Sequence, residues 1–202
     1  MNAVISARDL SKRYRVHRDR PHSLKEAVVR KGRNRSIREF WALQDISLEI
    51  KRGSFFGLIG HNGSGKTTLL KLMAGIHEPT SGHLAVDGRV SALLELGSGF
   101  HPELSGRENI YLNGAILGLT RKEMNLAVDE IIEFSDIGDF VDAPVKILSS
   151  GMYVRLGFAV AVHVAPEILL IDEVIAVGDE AFQRKCLEHL YELRRAGTTI
   201  VL

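Results

Sequence analysis

Residues 40–50 (Phe-Trp-Ala-Leu-Gln-Asp-Ile-Ser-Leu-Glu-Ile) alternate apolar with polar positions from Leu43 onward, the period of a half-buried strand. Residues 3–10 read as a first strand, and Lys51-Arg52-Gly53 turns the chain into the short apolar run Ser54-Phe55-Phe56-Gly57-Leu58-Ile59, the signature of a buried strand. Thr67 to Ala74 is helix-forming, with Gly75 placed to end it. Pro79-Thr80-Ser81-Gly82 is a turn, Asp87-Gly88 is a hairpin signal between short strands, and Val90 to Glu95 is strand-like. Antiparallel hairpins are therefore expected before and after a parallel βα unit, which predicts an α/β protein with a mixed sheet and an antiparallel β subdomain.

The period then changes. Ser105-Gly106-Arg107-Glu108 and Thr120-Arg121-Lys122-Glu123 are capping boxes, each opening a helical pattern. Asp142-Ala143-Pro144 breaks the second pattern, and Ser149 or Ser150 can cap a third helix running to His163. This stretch of roughly 60 residues, about 98–163, predicts an inserted all-helical subdomain. Glu167-Ile168-Leu169-Leu170-Ile171-Asp172-Glu173 is a continuous apolar run that ends in two carboxylates, the pattern of a buried parallel strand. Residues 180–195 form an amphipathic helix ended by Gly197, and Thr198 begins another strand in which the chain stops.

Residues 17–38 follow neither period. They are polar and basic, and residues 1–40 as a whole carry an excess of Lys and Arg of about eight charges. Within them Ser23-Leu24-Lys25-Glu26 is a capping-box pattern, Leu24, Ala27 and Val28 line one face, and Gly32 ends the pattern. A basic amphipathic helix over 22–31 would suit an anionic membrane surface or a partner, and a solvated loop is the alternative. Over all 202 residues the net charge is only +1, so no global basic field advertises nucleic acid. Cys186 is the single cysteine, which rules out an intrachain disulfide. No apolar run approaches the ~18 residues that span a bilayer, so a membrane role would be peripheral or through a partner.

Gly60-His61-Asn62-Gly63-Ser64-Gly65-Lys66-Thr67 fits the G-x-x-x-x-G-K-[ST] phosphate-binding loop, and it lies between the expected strand and helix. Its glycines let backbone N–H groups close on phosphate oxygens where a Cβ would clash. Lys66 reaches the β- and γ-phosphates, and the Thr67 hydroxyl is a magnesium ligand. The helix behind the loop adds its dipole. Asp172, at the end of its strand, is placed to organise the metal, and Glu173 beside it can accept a proton from attacking water. Tyr14, in the basic stretch Ser11 to Arg15, can stack on a base or simply lie on the surface.

The phosphate loop, the helical insert, Leu148-Ser149-Ser150-Gly151-Met152 and the Asp172-Glu173 strand come in an order that resembles the nucleotide-binding domain of an ABC transporter, a P-loop NTPase. The match covers nearly the whole chain; Ser150 and Met152 depart from the family signature Leu-Ser-Gly-Gly-Gln. Leu94 to Asn109, Ser149 to Leu156 and Val177 to Phe182 are similar to one branch, the Wzt-like ATPase subunits of O-antigen polysaccharide and teichoic-acid exporters. That branch also carries a helix after the first strand, which residues 22–31 resemble.

The resemblance implies a single nucleotide-binding domain over 1–202 that takes ATP and Mg2+. It implies that Tyr14 stacks on adenine, and that Gly60, His61, Asn62, Gly63, Ser64, Gly65, Lys66, Thr67 and Thr68 hold the phosphates. It further implies that Thr67 and Asp172 organise the metal, that Glu173 is the general base, and that Glu95 has a metal and water role where most of the family has glutamine. Ser149, Ser150, Gly151 and Met152 would face the nucleotide of a second copy in a head-to-tail homodimer, and Asp179 would lie in the loop that communicates across it. The implied partners are an integral membrane permease and a lipid-linked glycan met by the 22–31 helix, with no nucleic acid, at the cytoplasmic face of the bacterial inner membrane. A soluble ATPase of the same family acting on ribosomes or DNA is the alternative. None of the eight histidines follows the strand beginning at Thr198, where the family has one, so these residues are expected to bind Mg-ATP but hydrolyse it poorly. A carbohydrate-binding domain is appended in some members of the branch.

Overall fold

The computed structural model describes residues 3–17, 37–94, 97, 99–172 and 178–202. The predicted 22–31 helix, Glu95 and Glu173 lie outside the described residues. Two sheets form. The first is antiparallel, with β1 (Ala3–His17) between β2 (Ile37–Lys51) and β4 (Ser81–Val86). The second is parallel, in the order β3 (Phe55–Phe56), β7 (Thr199–Val201), β6 (Ile168–Ile171), β5 (Val90–Leu93). The apolar run 54–59 pairs over fewer residues than expected, although Leu58 N still donates to Leu202 O at 2.6 Å.

Asp87-Gly88 is not a hairpin. It carries the chain from the antiparallel sheet into the parallel one, where β5 pairs with β6 rather than with β4. The reason is long-range. Arg52 donates to Glu167 Oε2 at 2.6 Å and to Asp87 Oδ2 at 3.0 Å, and Asp87 N donates to Val4 O. The guanidinium bond, with a further bond from the Arg89 backbone, holds the Glu167 carboxyl below its usual range.

Helix α1 (Lys66–Met73) lies between the sheets. Its Leu69, Leu70, Leu72 and Met73 pack with Ile5, Leu10 and Ile50 of one sheet and with Ile168, Leu170 and Val201 of the other. A Schellman arrangement ends it: Gly75, at φ 71°, donates to Leu72 O, and Ile76 N to Lys71 O. On the far side of the parallel sheet stand α2 (Gly106–Ile116), α3 (Arg121–Ser135), α4 (Ser150–His163) and α5 (Glu180–Arg195). Strand β6 is buried on both faces: Ile168 and Leu170 point to α1, Leu169 and Ile171 to the second helical layer. Both expected capping boxes are present, and each draws its Glu, Glu108 or Glu123, below the usual carboxylate range through hydroxyl and backbone bonds. Two 3-10 turns (Gly138–Asp142 and Val145–Ile147) flank Pro144.

Between α4 and α5, His163 and His189 stack with ring centroids 4.5 Å apart, against Phe134. Burial pushes His163 below its ordinary value, helped by His189 and Lys185 and opposed by its bond to Ala159 O and by Glu130. Unfolding releases the ring to its ordinary value near 6.5, so below that pH the unfolded chain takes the proton and the folded one resists it. Stability at His163 is therefore present above about pH 6.5 and lost as pH falls. Urea melts at pH 7.5 and 5.5 should show a smaller loss on acidification in His163→Gln than in the natural sequence.

Candidate functional site

The phosphate loop stands at the C-terminal edge of the parallel sheet, between Ile59 and α1. Three of its glycines are demanded by geometry. Gly63 and Gly65 sit at φ 82° and 96°, and a Cβ on Gly60 would lie 2.5 Å from Ser64 Oγ. A Cβ on Gly65 would also meet Ala42 O at 2.6 Å and Leu43 Cδ2 at 2.8 Å, so β2 roofs the start of the helix. Gly65 is the N-cap of α1 and no side chain caps it, which suits an anion there rather than a Ser or Asp. Lys66 Nζ donates to the carbonyls of Gly60 (2.9 Å) and His61 (3.2 Å), so the ammonium is held over the loop. His61, Asn62 and Ser64 form the exposed crest, closed by a Ser64 N to His61 O bond.

Thr67 Oγ1 donates to Asp172 Oδ2 at 2.7 Å, across 105 residues. Asp172 arrives there because β6 ends at Ile171 and parallel pairing carries that end beside the loop. Thr68, one position on, is half-buried in the first turn of α1. Oxygen donors from one hydroxyl and one carboxylate fit Mg2+, which takes few protein ligands and keeps waters and phosphate oxygens. Among the described residues no group of three or more His, Cys, Asp or Glu could hold a metal ion. A cavity of about 660 Å³ adjoins the loop, with Leu58, Ile59, Lys66, Leu70, Asp172 and Leu187 among its lining.

Tyr14 lies on the arm of β1 that extends past β4, paired with Phe40. The register shifts by one between Lys12↔Leu43 and Arg13↔Trp41, so Ala42 is an extra residue on β2. That bulge keeps Tyr14 and Phe40 on the face of Leu43, which packs at Gly65. The Tyr14 ring meets His77 edge-on at 5.9 Å, with Lys12 Nζ 5.3 Å from its centre.

Ser149, not Ser150, caps α4, accepting from Met152 N at 3.2 Å. Ser150 and Gly151 are exposed on its first turn, and a Cβ on Gly151 would meet Ser149 Oγ at 4.0 Å. Among the described residues no hydrogen bond joins 149–152 to the phosphate loop. Asp179 caps α5, with Oδ1 accepting from Phe182 N at 2.9 Å.

Residues 43–176 match the family model for ABC transporters, more than half of the chain. The chain belongs to the ABC transporter family. It is 51% identical over 208 residues to the O-antigen export system ATP-binding protein RfbB of Myxococcus xanthus, covering 100% of this chain and 47% of that protein. With RfbB of Klebsiella pneumoniae the identity is 46%, covering 100% and 83%. The teichoic acids export ATP-binding protein TagH of Staphylococcus haemolyticus is 39% identical, covering 99% and 74%. The chain thus spans about half of the Myxococcus relative and 64% of ABC transporter protein AbcA of Aeromonas salmonicida. A solved dimeric ATP-binding cassette, MJ0796 in a post-hydrolysis state with ADP and Pi, superposes with a TM-score of 0.76 at 20% identity, over 98% of this chain and 86% of that one, which establishes a shared fold.

Sequence reasoning missed the residues that hold the edges of the site. Asn109 is fully buried; its Oδ1 accepts from His101 N at 2.7 Å, and its Nδ2 donates to carbonyls of His101, Leu104 and Ser105, knitting the loop after β5. Nothing in its spacing marks it, because its partners are backbone groups. Burial pushes the Cys186 thiol up to about 12, so it is core filling rather than a nucleophile. Gly65→Ala should abolish binding of a fluorescent ATP analogue and lower stability by about 1–3 kcal/mol, since the positive φ and the Ala42 carbonyl both oppose a methyl group.

Proposed function

We propose that this chain is the ATP-binding and hydrolysing part of an exporter that drives a lipid-linked polysaccharide, of O-antigen or teichoic-acid type, across the bacterial cytoplasmic membrane. The observation that carries the reading is the 2.7 Å pairing of Thr67 with Asp172 beneath a glycine loop with Lys66, in a chain whose relatives are named for O-antigen and teichoic acid export. Lys66 would neutralise charge on the terminal phosphates, and the loop N–H groups and the α1 dipole would orient them. Mg2+ would supply positive charge that offsets the charge developing on the phosphates. Thr67 and Asp172 are the residues that would hold it, with Glu95 as a further candidate. Glu173 would take a proton from the attacking water, and Tyr14 would stack on the adenine.

Ser149, Ser150 and Gly151 are exposed at the start of α4, with Met152 half-buried beside them, and among the described residues no hydrogen bond joins them to this chain's own loop, which supports a second copy placed head to tail so that each α4 N-terminus completes the partner's site. Asp179 would sit at that contact. Two nucleotides close the pair and hydrolysis reopens it, while a separate membrane permease moves the glycan. The nucleotide-binding domain would comprise the two sheets with α1, and 98–163 would form its helical subdomain. Among the described residues no helix is long and apolar enough to cross a membrane, which suits peripheral attachment through the permease.

Glu173→Gln in the full-length protein should trap an ATP-dependent dimer visible by light scattering; a monomer at saturating ATP would sink the head-to-tail reading. Tagged full-length protein extracted from native membranes should bring down a stoichiometric multi-span membrane protein with bound glycolipid. Ribosomal proteins or DNA-repair factors in its place would overturn the exporter assignment. If the 22–31 helix meets anionic lipid or glycan pyrophosphate, changing Arg30, Lys31 and Arg33 to Glu should impair export while leaving ATP affinity unaltered, and unchanged export would favour a solvated loop.

A further inference from the structure

We propose that Tyr153 and Arg155 are positioning residues for the ATPase reaction, forming a two-point clamp that ties α4 to the loops leaving β5 and β6. The inference rests on the ATPase reading above. Tyr153 Oη donates to the carbonyl of Gly97, in the loop after β5, at 2.7 Å, and its ring packs edge-on against Phe100 at 5.2 Å. Gly97 has φ +76°, and a Cβ there would lie 2.3 Å from the Tyr153 ring, so the backbone can lie against the ring only because this residue is glycine.

Arg155 acts on the other loop. Its Nη2 donates to Asp179 Oδ2, just before α5, and its Nη1 to Asp136 Oδ2 at 3.2 Å. The guanidinium also lies over the Phe182 ring, 5.0 Å from its centre. Asp179 therefore spends one oxygen on capping α5 and the other on Arg155. Asp136 ends α3 in a left-handed conformation, φ 52°. The Arg155 side chain is only 19% exposed, while its partners Asp179 and Asp136 are 60% and 78% exposed, so the guanidinium is fixed by packing and its carboxylate partners remain in water.

Residues two apart on a helix point to nearly opposite sides, so Tyr153 and Arg155 grip different loops from a single turn. That turn directly follows Ser149–Met152. One gripped loop follows β5. The other follows β6, whose end delivers Asp172 to Thr67. The first turn of α4 cannot shift against Gly97 and the N-terminus of α5 without stretching one of the two bonds. The clamp thus sets the position from which Ser149 and Gly151 are presented, relative to Gly97 and Asp179 of the same chain. Neither side chain hydrogen-bonds to the phosphate loop, so the effect is expected on turnover rather than on binding at the chain's own loop.

The test uses the full-length protein with Tyr153→Phe, which keeps the ring and loses the hydroxyl, together with Arg155→Ala and Arg155→Lys. Turnover at saturating ATP, KM for ATP, the Kd of a fluorescent ATP analogue and the thermal midpoint are measured on each. The clamp predicts kcat lower by about tenfold in Arg155→Ala and by about fivefold in Tyr153→Phe, as expected for one charge-assisted and one neutral hydrogen bond. Kd and KM should stay within about twofold, and Arg155→Lys should recover part of the loss. Unchanged kcat overturns the proposal, and so does a Kd that weakens in step with kcat while the midpoint falls, since that is a folding role. A natural sequence that binds ATP but never turns it over overturns the ATPase reading itself, and the clamp with it.

Discussion

Leu69, Leu70, Leu72 and Met73 are buried between an antiparallel and a parallel sheet, and that burial decides where the phosphate loop stands. An isolated helix of eight residues is marginal in water. Here its stability comes from apolar contact on two sides, at about 1.5–3 kcal/mol for each large side chain fully removed from water. With α1 pinned, the loop before it has little freedom. Gly65 fits beneath the Ala42 carbonyl, Lys66 folds over the Gly60 and His61 carbonyls, and Thr67 comes within 2.7 Å of Asp172. On the proposed function, a polyanion would meet a loop already fixed by these contacts, so little ordering of the backbone would remain to oppose binding.

The parallel sheet is the second constraint. Its strands are short and parallel, with β6 and β7 buried on both faces, so their ends lie along one edge and the chain must leave each through a loop. Those loops are held by side chains far away in sequence. Asn109 gathers the backbone after His101, Tyr153 holds Gly97, and Arg155 holds Asp179. Each is a hydrogen bond to a backbone or carboxylate oxygen; those of Asn109 and Tyr153 lie in partly buried surroundings, where a broken bond costs more than at the open surface. The edge that carries the chemistry is thus stiffened from the helical side, while α1 stiffens it from the other. Arg52 does the same at the opposite end of the strands, joining the Asp87 turn to Glu167.

Much of this was legible in the residues because the signals were local. Ser105 with Glu108 and Thr120 with Glu123 cap their helices through groups three residues apart, and α5 begins and ends where its apolar spacing and Gly197 say. The phosphate loop is a contiguous pattern in which Gly63 and Gly65 are required by their positive φ. The run before Asp172 declares a doubly buried strand by its unbroken apolar character. Asp87-Gly88 misled for the complementary reason. A two-residue turn signal states that the chain reverses locally, but not which sheet the next strand joins.

What the sequence by itself determined is the set of elements, the phosphate loop and the strand that ends at Asp172, since each follows from periodicity and backbone chemistry within a few residues. Only the tertiary structure decided that β4 and β5 part into different sheets, that Ser149 rather than Ser150 caps α4, and that a bulge at Ala42 keeps Tyr14 on the face of Leu43. It alone brought Thr67 to Asp172 and Arg155 to Asp179. These are meetings of groups separated by tens of residues, and which ones meet depends on how buried strands and helices share one core, a condition that no local window of sequence contains.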